Sequence, residues 1–183
     1  TWHIPELVRA EREYQMNSRA TDLLPAMNKL ERVLGHQLGI TEEVIRDRIS
    51  STIQRQLEKF NVQVALLDSS EVDWSAIVSA AVQRRAPFQI GDKEKGFRDA
   101  VIIETFLQEL SKSPKTPSVC LLAFVSEDGL VREALAARTA TASNVRILAG
   151  LDELKSLINT LVSEVSEDYV EELRTKAGPL FWT

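Results

Sequence analysis

Three acids come from three separated elements of the chain: Glu11, Asp99 and Asp128. Carboxylate oxygens drawn from separate segments are the ligands that a hard divalent cation such as Mg2+ or Mn2+ prefers, and a cation so held can promote hydrolysis of a phosphodiester. Asp128 closes Val125-Ser126-Glu127-Asp128-Gly129 at the start of a helix, where an acid also suits the helix dipole with no further role. Asp99 lies beside the apolar run Ala100-Val101-Ile102-Ile103, so it needs a partner: a backbone amide to cap, Arg98, or a metal. Glu104, more than one helical turn further on, reads equally well as a fourth ligand or as a hydrogen-bonded glutamate. Glu11 follows Leu7 by four residues and Ile4 by seven, which sets it near the buried stripe of a helix; a solvated surface acid is the plain alternative. Around Asp99 gather Arg84, Arg85, Lys93, Lys95 and Arg98, cations suited to phosphate contacts or, for the loop lysines, simply to water.

The elements that must position these residues follow from periodicity. Pro5 suits the first turn of a helix whose apolar positions recur to Gly35, with a kink or break at Pro25. Thr41 caps a second helix running to Phe60, with Glu42 and Glu43 at its positive end. Val62 to Leu67 is a short β-branched strand that exits through Asp68-Ser69-Ser70. A helix over 73–85 ends before Pro87, the stretch Phe88 to Gly96 is a loop, and a further helix covers Phe97 to Leu110. Ser118 to Val125 is the strongest strand, followed by a helix from Leu130 to Ala140, the strand Val145 to Leu148, a helix from Asp152 to Val165, and a short closing helix with a docking tail through Trp182. Apolar strands separated by helices predict an α/β fold with a parallel sheet flanked by helices, a Rossmann-like three-layer arrangement. In such a sheet ligands bind beyond the carboxyl ends of the strands, the edge that holds Asp128.

With 183 residues at 44% hydrophobic composition the chain builds one core, so a single domain spanning 1–183 is expected. A net charge of −5 argues against a protein that coats nucleic acid through a broad basic surface, while leaving room for a local basic patch. No apolar run approaches the roughly 20 residues of a membrane helix. Cys120, the one cysteine, sits in an apolar run and reads as a buried inert thiol, and the lack of any pair favours a reducing, cytoplasmic compartment. His3 and His36 lack ligand spacing and are given no role.

Four passages, in order, resemble the PIN-like domain family, in particular its bacterial branch with a Lys-Gly-Phe-Arg-Asp core signature. They are Ile4 to Glu11; Arg84 to Phe88 with Lys95-Gly96-Phe97-Arg98-Asp99 through Glu104; Phe124 to Asp128; and Val145 to Leu148 with Leu151 to Leu154. The resemblance implies Asp99, Asp128 and Glu11 as ligands of Mg2+ or Mn2+, with water activated to cut RNA or DNA and leave a 5′-phosphate and a 3′-hydroxyl. One departure matters: the family opens with an apolar strand ending in an aspartate, and none precedes Ile4. Asp68 follows an apolar strand but falls at the wrong place in the order. The chain is therefore expected to lack an N-terminal βα unit of the domain, and its start at Thr1 reads as a cut end.

Two functions compete. One is a metal-dependent endonuclease acting on nucleic acid, RNA before DNA, such as a toxin or the nuclease arm of a defence system. The other is a catalytically inactive PIN-like module kept for protein contacts. A response-regulator-like domain would need paired acids after its first strand, and none is seen. The two long N-terminal helices also suit a homodimer or regulatory-partner contact, with core packing the commoner use.

Overall fold

A computed structural model describes residues 1–89 and 95–162; Lys93 and the tail expected through Trp182 lie outside them. The chain opens on a strand that periodicity conceals. β1 (Trp2–Pro5) pairs in parallel with β2 (Val62–Ala65), Trp2 opposite Val62 and Pro5 opposite Ala65. Pro5, expected inside the first helical turn, instead ends this strand and stands at the N-cap with φ −57° and ψ 138°. Its ring fixes a φ that extended backbone and helix share, so proline alone does not choose between them.

Three helices carry the chain from β1 to β2. They are α1 (Glu6–Thr21), α2 (Leu24–Leu34) and α3 (Glu42–Lys59). The break expected at Pro25 falls just before it, which leaves the proline in the first turn of α2, where a missing N–H goes unnoticed. The Val44 amide donates to Thr41 Oγ1 at 3.2 Å and starts α3 as expected. After β2, Asp68 caps a single 3-10 turn (Ser69–Glu71) by accepting from the Ser70 amide and hydroxyl, bonds that hold its carboxyl below the usual range.

α4 (Trp74–Val82) begins where the Ala76 amide donates to Asp73 Oδ1, and it stops short of the expected Arg85 because Arg84 takes a left-handed backbone, φ 52°. α5 (Phe97–Lys112) follows. A second unit closes the described chain: β3 (Leu122–Val125), α6 (Gly129–Arg138) and β4 (Val145–Leu148), with β3 and β4 parallel and Leu122 opposite Val145. A helix, α7, covers 151–162. The strand expected from Ser118 is shorter because the Val119 and Cys120 amides both turn back to the Thr116 carbonyl. Cys120 is consequently half-buried, not buried as its apolar neighbours suggest.

The architecture is α/β, with parallel strands covered by helices. Among the described residues β1 pairs with β2 and β3 with β4, and α5 packs against both pairs. Two faces of α5 enter separate apolar clusters: Ala100 packs with Val72, Ile77 and Phe88, while Ile103 packs with Val131, Ala134 and Leu135, flanked by Phe124 and Ile147. Phe106 meets Phe124 edge-on at 5.1 Å between centroids. Polar ties reinforce the packing. Buried Gln108 clamps the exit of β2, donating to the Asp68 carbonyl at 2.8 Å and accepting from the Asp68 amide at 2.9 Å. Glu109 meets His3 of β1 at 3.4 Å, so His3 has a structural partner.

The N-terminus of α5 is fixed by Gly96. Its φ is 117°, and a Cβ there would stand 2.6 Å from the Pro87 carbonyl oxygen and 2.7 Å from Phe88 Cα. Only glycine permits the two segments to touch backbone to backbone, and the Gln89 amide donates to the Lys95 carbonyl alongside at 3.2 Å. The Gly96→Ala protein is expected to lose about 3 kcal/mol of stability, measured by denaturant unfolding, because the clash is with backbone that no side-chain rotation relieves.

Candidate functional site

Asp99 sits in the first turn of α5, half-buried, and its carboxyl is pushed above the usual carboxylate range. Burial is the largest cause, repulsion from Asp128 comes next, Arg98 pulls the other way, and Glu11 adds further repulsion. Three separated segments, α1, α5 and the end of β3, therefore bring their acids within electrostatic reach of one another.

Asp128 uses one of its two carboxylate oxygens as a helix cap. As the N-cap of α6 it accepts from the Leu130 amide at 2.8 Å and the Val131 amide at 3.2 Å, both through Oδ1. Its other oxygen accepts nothing from the described residues and is exposed, so the helix-start role and a ligand role are compatible. Ser126, two residues before, holds the loop: its hydroxyl accepts from the Asp128 amide at 3.2 Å and its carbonyl from Arg132 at 2.7 Å. Glu11 is half-buried on α1, where Oε1 accepts from Arg98 Nη1 and from Gln15 Nε2 at 3.4 Å. Arg98 thus spans from α5 to α1 and aims Glu11, a use that phosphate-contact reasoning from sequence does not suggest.

Other residues singled out by sequence lie elsewhere. Glu104 is not among the charges acting on Asp99; it is 6% exposed and accepts from Arg138 Nη1 of α6. Arg84 and Arg85 line a cavity between α4, α5 and α6. Lys95 is exposed, and its backbone carbonyl ties the loop to Gln89. Arg138 escapes sequence reasoning altogether. An acid in the apolar stretch of α5 signals that some cation must come, but nothing in the pattern says it comes from 34 residues away.

Among the described residues no three His, Cys, Asp or Glu side chains close on one point tightly enough to hold a metal as they stand. The donor set still fits a hard divalent cation: Asp99 and Asp128 at the positive ends of α5 and α6 and Glu11 on α1 are three carboxylates, of which Asp99 is raised by burial and by its like-charged neighbours, a state that a cation would relieve. No described helix is long and apolar enough to cross a membrane.

Comparison with known proteins places this geometry in context. A family model described as PIN domain matches residues 1–130, more than two thirds of the chain, and its span takes in Glu11, Asp99 and Asp128. No curated protein and no solved structure matches.

Two outcomes follow from the geometry. A raised carboxyl favours the protonated form in the folded state, so its contribution to stability is whole below the unfolded pKa and is lost as pH rises through the folded one. At neutral pH Asp99 therefore strains the fold. The Asp99→Asn protein is expected to melt higher than the parent at pH 7 in chelator, with the gap closing as pH falls into the carboxylate range; equal melting temperatures at pH 7 would refute the combined cost of burial and repulsion at Asp99. Arg138→Met, which strands Glu104 in the interior, is expected to cost about 2–3 kcal/mol in denaturant unfolding, and adding Glu104→Gln to it should recover part of the loss.

Proposed function

This chain belongs to the PIN domain family, whose members are generally nucleases, and on that footing we propose that it is a Mg2+- or Mn2+-dependent endonuclease acting on RNA. Asp99, Asp128 and Glu11 would hold the metal, and we place the chain in the bacterial branch carrying the Lys95 to Asp99 signature. The observation that supports the reading most is the gathering of these acids from α1, α5 and the end of β3 around Asp99, whose carboxyl is raised first by burial and then by Asp128, with a smaller push from Glu11.

Each residue then has a part. Asp99 and Asp128 present carboxylate oxygens at the N-termini of α5 and α6, helix ends that also attract phosphate through their free amides and dipoles. Arg98 holds Glu11 toward them. A bound divalent cation would supply activation of the attacking water and offset the charge gathering on the phosphate. Lys95 and Arg98 flank the start of α5, Arg84 and Arg85 line the cavity beside it, and all four suit the flanking phosphates. Trp74 and Phe97, stacked with centroids 6.3 Å apart and both substantially exposed, offer a platform for unpaired bases, which favours a single-stranded substrate. The choice of RNA over DNA rests on likeness to the family. A single cysteine, with no partner for a disulfide, supports a cytoplasmic setting.

The test is cleavage of labelled single-stranded RNA and DNA by the full-length protein with Mn2+. Glu11→Gln, Asp99→Asn and Asp128→Asn are each expected to slow cutting by roughly a hundredfold or more, with folding intact. A folded parent that cuts neither polymer would instead mark an interaction module built on the PIN fold.

A further inference from the structure

Beside the carboxylates, α4, the turn after it, α5 and α6 border an open cavity of about 920 Å3. That is within the range, about 300–1,000 Å3, of pockets that take a small molecule. Its walls include Ala100 and Leu130, the residues next to Asp99 and two beyond Asp128, so it opens alongside the candidate centre. The floor is apolar, with fully buried Phe88 at its base, and the rim is polar.

The charges on that rim are unevenly committed. Glu104 and Arg138 satisfy each other, and the Asp73 carboxylate is spent on the cap of α4. Glu133 is the remaining acid, set against Arg84 and Arg85, of which Arg85 makes a long bond to Ser79 at 3.4 Å. Arg84 is the unusual member. Its backbone is left-handed, and one terminal nitrogen, Nη1, is buried with no hydrogen-bond partner. A non-glycine residue held at positive φ and a buried donor left unmet each cost on the order of 1–3 kcal/mol. Such costs persist where a site is built for something that supplies the missing acceptor.

We infer that this cavity receives one nucleotide of the substrate strand, its phosphate drawn to Arg84 and Arg85 and its base laid against the partly exposed apolar lining at Ala80, Ala86 and Leu130. The inference rests on the nuclease reading and extends it: strand selection occurs in a pocket beside the cutting centre, by contacts other than those that hold metal. An occupant with both an anionic and a flat apolar part matches the paired rim and floor better than inorganic phosphate or a plain hydrocarbon does.

The test separates the two readings by measuring binding in chelator, where no cleavage occurs. Adenosine 5′-monophosphate, adenosine and inorganic phosphate are titrated calorimetrically into the full-length parent, Arg84→Gln, and Ala137→Phe, which fills the cavity mouth from an exposed position on α6. The expected result is saturable binding of the monophosphate, tighter than either fragment, weakened tenfold or more in both variants. In cleavage, both variants should raise KM for RNA with kcat little changed. Monophosphate binding by a parent that cuts nothing would uphold the pocket while the nuclease reading falls. Cleavage with unchanged KM in both variants, or monophosphate bound no better than phosphate, would overturn the pocket and leave the nuclease reading standing.

Discussion

Helix α5 is the constraint on which the rest depends, because it packs against both parallel strand pairs of the described chain or the helices that cover them. Each pair alone is a poor structure: two strands bury little, and parallel strands gain stability only when helices cover them. α5 supplies cover to both, sending Ala100 into one apolar cluster and Ile103 into the other. Four polar side chains on the same helix reach four different places, Arg98 to α1, Glu104 to α6, Gln108 to the exit of β2 and Glu109 to β1. The apolar contacts provide the driving force, and the polar ones fix rotation and register, since a helix turned by one residue would break all four at once.

The candidate site is a by-product of that arrangement. Glu11 rides on the helix that leaves β1, Asp128 on the loop that leaves β3, and Asp99 on the beam between them. Gly96 sets where the beam begins, by letting its first residue touch Pro87 and Phe88. Acids gathered in this way repel, and the fold tolerates the repulsion because its packing energy resides elsewhere, further along α5.

Much of this was legible in the sequence, for reasons that also explain what was not. Asp99 and Asp128 stand out because strand ends and helix starts can be read from local apolar runs, and in an α/β fold those junctions share one edge. Glu104 announces itself as an acid among apolar residues, yet its partner is fixed by how α5 lies on α6, which no local pattern encodes. β1 is four residues long, half of it exposed and closed by a proline, so its one credential is a pairing with Val62 to Ala65 that only tertiary structure reveals. Arg98 reads as a phosphate contact by charge, and its bond to Glu11 is invisible in the sequence, since charge does not give direction.

The strand registers also bear on the order in which the molecule assembles. Joining β3 to β4 closes about twenty residues, whereas joining β1 to β2 closes about sixty, a difference of roughly 1 kcal/mol in loop-closure entropy. The β3–α6–β4 unit is the cheaper nucleus, and α5, next to it in sequence, has a ready surface to condense upon. The β1–α3 unit then docks onto a helix already in place. Asp99 and Asp128 would come together early in such a sequence and Glu11 late, so the carboxylate cluster is complete only when the whole chain has folded, and partly assembled forms carry no finished centre.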